Sequence, residues 1–159
     1  MMQTKRCNRL DDFLMKKMLN SEKNYFSDEE RYQAYRNFLR LTTKEGKRIA
    51  ATQTIKKWFG IGGIKRPNRE GLFKIGFDLR LSVKEMEELF VYVMREPGFQ
   101  VNDYREMIFL YGFYHQITYD DCINMIDYLE KSLPGNLSIR QHNCTNDIWE
   151  EYGKNCELD

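Results

Sequence analysis

Apolar residues recur at helical spacing through most of the chain, and the breaks between these stretches predict the elements. Leu10, Phe13, Leu14, Met18 and Leu19 form a short amphipathic pattern, which predicts a helix over 9–20. Ser27-Asp28-Glu29-Glu30 is a capping box, in which the serine oxygen accepts a backbone N–H while the glutamate reaches back. It opens a helix predicted over 28–42, with Tyr32, Tyr35, Phe38, Leu39 and Thr42 at three- and four-residue spacing. Gly46 interrupts the segment that follows. The pattern resumes as a helix around Thr54–Phe59, with Ile55, Trp58 and Phe59 on one face and Lys56 and Lys57 off it. Gly60 fits a left-handed helix stop.

After Pro67 the pattern becomes regular. Arg69–Leu79 carries Leu72, Phe73, Ile75, Gly76 and Leu79. Ser82-Val83-Lys84-Glu85 is a second capping box, followed by Met86, Leu89, Phe90 and Val93. Pro97 ends that helix, because proline cannot continue the ladder and disfavours helix in the residue before it. Residues 69–90 then repeat at 105–126, at a constant offset of 36. Leu72, Phe73 and Gly76 match Ile108, Phe109 and Gly112; Leu81-Ser82 matches Ile117-Thr118; Met86, Leu89 and Phe90 match Cys122, Met125 and Ile126. Self-similarity of this kind is a helix-pair signature: helix, short turn, second helix with a Ser or Thr cap. Glycine inside a helix costs roughly 0.5–1 kcal/mol relative to alanine, so Gly76 and Gly112 imply a packing reason.

Beyond Pro134-Gly135 the sequence turns polar, and Thr145 through Tyr152 reads as the start of one more helix. The expected architecture is all-α, a helix-turn-helix core followed by a repeated helix pair. Residues 1–44 hold N-terminal helices, 45–95 a helix-turn-helix-like domain, 96–133 the second helix pair and 134–159 a polar C-terminal segment.

Composition narrows the class. A hydrophobic fraction of 42% and an aromatic fraction of 14% argue against disorder. No run approaches the ~20 apolar residues of a membrane span. Asp11 and Asp12 stand where a signal peptide needs an apolar block, so a cytoplasmic protein is expected. Cys7, Cys122, Cys144 and Cys156 lack the close pairing of a zinc site, and His142 with Cys144 makes half a site at most. Free thiols in a reducing compartment, with no bound metal, are the expectation.

The net charge of +1 hides an asymmetry. Residues 1–69 hold 17 Lys and Arg against 7 Asp and Glu; residues 70–159 hold 8 against 17. The densest basic block is 44–69, with Lys44, Lys47, Arg48, Lys56, Lys57, Lys65, Arg66 and Arg69 against Glu45 alone. Two surfaces with different partners are implied.

Catalytic patterns are missing. The run Gly60-Ile61-Gly62-Gly63-Ile64-Lys65-Arg66 fails the phosphate-binding grammar, which needs a lysine directly after the last glycine, then Ser or Thr, between a strand and a helix. His115 sits at a helix end, where a capping role is the simpler reading. Asp120-Asp121 and Glu87-Glu88 lie early in helices, where acids favour the dipole. No paired general acid and base is evident. The chain reads as a non-enzyme without cofactors.

Thr52-Gln53-Thr54-Ile55-Lys56-Lys57-Trp58-Phe59 does satisfy the grammar of a recognition helix. Polar residues at such a helix's start read base edges in the major groove, and nearby bases hold phosphates. Gln53 suits adenine, Thr52 and Thr54 suit a thymine methyl, and Lys56 and Lys57 suit guanine or phosphate. This stretch, with Gly63 and Lys65-Arg66-Pro67, Leu72 to Phe77, and Leu81-Ser82 leading to Glu85–Phe90, resembles the second half of the lambda-repressor-like (Xre-type) helix-turn-helix domain. It is also similar to helix-turn-helix proteins of Firmicutes in which a second helix pair follows. The resemblance spans about 45–95. It implies a DNA-binding transcriptional regulator, with Lys47, Arg48, Lys65, Arg66 and Arg69 on phosphates. The acidic helical half would then serve a homodimer or a protein partner. Two departures stand out: Thr54 to Pro67 is longer than the family's spacing, and Gly46 falls in "TTKEGKRIAA", where the first motif helix belongs. The alternative function is an interaction module, such as a mobile-element-encoded inhibitor that binds a host protein or nucleoprotein complex.

Overall fold

The computed structural model of the chain describes residues 9–132. The described residues are all-α, with no strand among them. The helices are α1 (Leu10–Leu19), α2 (Asp28–Thr42), α3 (Thr52–Trp58), α4 (Arg69–Asp78), α5 (Val83–Glu88), α6 (Tyr104–His115) and α7 (Tyr119–Ser132). A π-helical turn, Leu89–Val93, continues α5. The chain divides into two compact units, Met1–Gly98 and Phe99–Asp159. The expected helix at Thr145–Tyr152 lies outside the described residues, as do His142, Cys7, Cys144 and Cys156.

In the first unit, local chemistry sets the helix ends. Asn20 takes a left-handed conformation (φ 48°) and stops α1. Both halves of the capping box form at α2: Glu30 N donates to Ser27 Oγ (3.2 Å) and Ser27 N to Glu30 Oε1 (3.1 Å). Ser82 and Glu85 repeat the device at α5. Burial pushes the Glu85 carboxyl up, but the Lys17 ammonium and the Ser82 amide outweigh it and hold the group below its ordinary value. The Lys17–Glu85 pair (2.6 Å) ties α1 to α5.

Phe38 centres the core of this unit. Its ring meets Trp58 edge-on at 6.1 Å and Phe59 at 5.3 Å, and Phe59 also meets Tyr35 at 6.4 Å. Such edge-to-face pairs suit the opposed charge of ring face and ring edge. Leu14 and Met15 of α1 are fully buried. Helix α1 packs on α2, on α3 and on the π-helical turn, while α2 packs on α4.

The repeat is visible bond by bond. At the end of α4, Leu81 N donates to the Gly76 carbonyl (2.9 Å) and Arg80 is left-handed (φ 54°). Thirty-six residues on, Ile117 N donates to the Gly112 carbonyl (3.0 Å) and Gln116 is left-handed (φ 57°). Bonds of this kind satisfy carbonyls that a helix end would otherwise leave unpaired. Ser82 Oγ accepts from Glu85 N, and Thr118 Oγ1 from Asp121 N, both at 3.1 Å. Met86, Leu89, Phe90 and Val93 are buried, and so are their counterparts Cys122, Met125, Ile126 and Leu129. The copies differ after this point. The first helix pair slips into the π-helical turn, where Met94 N reaches back to the Leu89 carbonyl, while α7 continues unbroken.

In the second unit, Tyr104 Oη donates to the Glu130 carboxylate, linking α6 to α7. Burial, then that carboxylate, pushes the phenol up to about 12. Cys122 Sγ faces the Ile108 carbonyl at 3.8 Å. Burial, with a smaller push from Asp121, raises its thiol to about 12. The thiolate is the reactive form, so this cysteine is inert in the fold. Iodoacetamide at pH 8 is expected to leave Cys122 unmodified in the native protein and to label it fully in urea. Peptide mapping by mass spectrometry reads the result, and rapid native labelling would contradict the burial.

Candidate nucleic-acid interface

The basic block spans the connection before α3, α3 itself, the loop after it and Arg69 at the start of α4. In the first stretch, Lys44 and Lys47 exchange two backbone hydrogen bonds of 2.9 Å around Glu45 (φ 52°) and Gly46 (φ 75°). Two successive left-handed residues make a tight reversing turn. Beyond Thr42, the last residue of α2, the stretch "TTKEGKRIAA" is therefore not helical. Helix α2 ends at Thr42 and α3 begins at Thr52, so the short connection of a helix-turn-helix motif is absent in front of α3. Lys44 pairs with Asp78 at 2.8 Å. Lys47 and Arg48 are exposed.

Helix α3 is short, with seven residues, and its N-cap Ala51 supplies no side-chain bond. Ile55 and Trp58 anchor it in the core, and Phe59 follows them inward. Gln53 is exposed, while Thr52, Thr54, Lys56 and Lys57 are half-buried along its outer side. Lys56 Nζ lies 5.7 Å from the centre of the Tyr35 ring, within reach of a cation–π attraction.

The glycine loop closes the C-terminal end of α3. Phe59 N and Ile61 N donate to the Lys56 carbonyl (3.0 Å each), and Gly60 N and Lys65 N to the Lys57 carbonyl (3.2 and 3.4 Å). A phosphate cradle needs amides free to face an anion. These four face helix carbonyls instead. Gly60 (φ 74°) is confined on its other side as well: a Cβ there would stand 2.8 Å from Arg31 Nη1. Gly63 passes over the aliphatic stem of Lys57, 3.8 Å from where its Cβ would be.

A polar hub beneath this loop fixes its origin. Arg9 grips Asp11 with two bonds (3.1 and 2.9 Å). Asp11 accepts from Arg31 Nη1 (3.2 Å), which also donates to the Phe59 carbonyl (2.9 Å). The Asp11 carboxylate is 8% exposed and the Arg31 side chain 19%. Sequence reasoning missed this hub, since its members lie 20 and 28 residues apart.

Of the residues expected on phosphates, Arg69 is committed elsewhere. It donates to the carbonyls of Pro97 (3.0 Å) and Gly98 (2.6 Å), pairs with Glu96 (3.5 Å) and stacks over the Phe90 ring at 4.2 Å. Its role is to strap 96–98 onto the first unit. Lys47, Arg48, Lys56, Lys57, Lys65 and Arg66 differ: among the described residues none forms an ion pair. The loop's bonds bring Lys65 beside Lys57.

Among the described residues, no group of three His, Cys, Asp or Glu side chains could hold a metal ion. No helix there is long and apolar enough to cross a membrane. His115 is exposed in the last turn of α6, its ring 4.2 Å from that of Tyr111. No protein-family model, no curated protein and no solved structure matches this chain.

Proposed function

We propose that this chain is a DNA-binding transcriptional regulator that grips double-stranded DNA through α3 and its flanking loops. The observation that carries this reading is the set of six cations, Lys47, Arg48, Lys56, Lys57, Lys65 and Arg66, that no described acid neutralises. Unneutralised cations release counterions from a phosphate backbone, and that release dominates duplex affinity. Thr52, Gln53 and Thr54 stand at the start of α3 and supply polar contacts to base edges. Arg69 is left out of the phosphate set because its guanidinium holds 96–98.

The test is equilibrium binding to a random duplex pool across a salt series, with the protein's solution mass recorded alongside. Six phosphate contacts would give a log K against log salt slope of about −5, and partial engagement about −3. The charge reversal Lys56→Glu/Lys57→Glu is expected to weaken binding about a hundredfold and to flatten the slope by about 2. Unchanged affinity in the double variant, with circular dichroism intact, would sink the proposal.

A second reading is a protein-interaction module. Asp120, Asp121 and Asp127 on α7 are all exposed, an acidic surface suited to a basic partner or a second copy. A stoichiometric protein partner on pull-down, with no duplex shift at low salt, would favour it.

A further inference from the structure

Ile64 is an exposed aliphatic residue inside the basic block. At 75% exposure it is the most exposed aliphatic side chain among the described residues. Lys65-Arg66 follows it, and Lys57 lies alongside the same loop. Its position is set by backbone bonds on both sides, Ile61 N to the Lys56 carbonyl and Lys65 N to the Lys57 carbonyl. Gly62 (φ 70°) and Gly63 (φ 133°), directly before Ile64, take conformations that side chains rarely adopt. Pro67, buried just beyond, closes the far end.

An isoleucine held in water between unneutralised cations gains nothing from the fold. It does gain from an apolar target set among anionic groups. The major groove of duplex DNA offers one: the C5 methyl of thymine, flanked by phosphates. A membrane surface pairs apolar and anionic groups too, but binding there scales with buried apolar area, and amphipathic anchors use a whole helix face. One side chain is too little for that, and enough for one methyl.

We propose that Ile64 is a specificity-determining residue that packs against a thymine methyl in the major groove. The inference rests on the duplex-binding reading and names the base that the loop selects. The cations beside it bring the loop to the groove, and the packed methyl discriminates among base pairs.

The experiment compares duplexes made with thymine and with uracil, which differ only in that methyl group. A random AT-rich pool prepared both ways avoids any need to know the operator. Wild type is expected to prefer the thymine pool by about fourfold for each methyl group that it packs against. Ile64→Ala is expected to lower that ratio by the same factor, and Ile64→Leu to retain most of it. Thr52 and Thr54 also carry methyl-contacting groups, so the change in the ratio, not its absolute value, reports on Ile64. Equal ratios in wild type and Ile64→Ala overturn the assignment and leave duplex binding standing. No duplex binding by wild type overturns both. Ile64-dependent binding to phosphatidylserine vesicles, without thymine preference, overturns it in favour of a membrane surface.

Discussion

Truncation of Phe38 to alanine is expected to destabilise the first unit by about 3–5 kcal/mol, the usual range for removing a buried phenyl ring. The ring is fully buried and sits edge-on to both Trp58 and Phe59. Its removal takes away apolar burial and two ring–ring pairs together, and leaves a cavity bounded by α2 and α3. Domains hold only about 5–15 kcal/mol in all, so this one change removes a large share. Urea melts followed by tryptophan fluorescence would read it. Phe38→Leu, which keeps part of the volume, should fall between wild type and Phe38→Ala. A destabilisation below about 1 kcal/mol for Phe38→Ala would show that the cluster is not the centre of the core.

The second large effect is expected at the polar hub. Asp11→Ala should cost about 3 kcal/mol, the low end of the range for breaking a buried ion pair by removing one partner. The low end applies because Arg31 is 19% exposed and can regain some water. The guanidinium would still hold the Phe59 carbonyl, while Arg9, more than half exposed, would return to solvent. A double-mutant cycle of Asp11→Ala with Arg31→Ala separates the pair from its surroundings. Residues that touch directly show coupling of about 0.5–3 kcal/mol, whereas additive effects would mean that they act independently. The hub also carries a functional consequence under the duplex reading. Arg31 confines Gly60, the first residue of the loop that carries Ile64 and Lys65. Both hub variants should therefore weaken duplex binding more than an equally destabilising change in the second unit.

What the sequence disclosed and what it hid divide by distance along the chain. Both capping boxes were legible because a serine and a glutamate three residues apart settle the matter between themselves. The repeat was legible for a related reason. Gly76 and Gly112, with Ser82 and Thr118, form a device complete within one turn, and the structure adds the left-handed Arg80 and Gln116 that no composition rule marks. Gly46 was visible as an interruption, but the reversal that Glu45 and Gly46 make together was not, since glutamate seldom takes a left-handed conformation. The basic run from 44 to 69 looked uniform in sequence. It divides in the structure because acids and carbonyls distant in the chain select among its members: Asp78 takes Lys44, and Glu96 with two carbonyls takes Arg69. Residue type does not announce such long-range partners. The Tyr35 ring beneath Lys56 was hidden for the same cause.

The doubled turn also orders events in time. Its bonds, from Leu81 to Gly76 and from Ile117 to Gly112, close over five residues, so neither waits for distant chain to arrive. Contacts that are local in sequence form early, because closing them costs little loop entropy. Each helical hairpin is thus poised to assemble within its own stretch of chain. The Asp11–Arg31–Phe59 hub must instead gather α1, α2 and the residue that follows α3, so it is expected to close late. Changes at Ser82 or Thr118 should then slow refolding, while changes at Asp11 should mainly hasten unfolding. The Arg31 bond to the Phe59 carbonyl, which holds the start of the glycine loop, is therefore expected among the last of the first unit's contacts to form and the first to be lost.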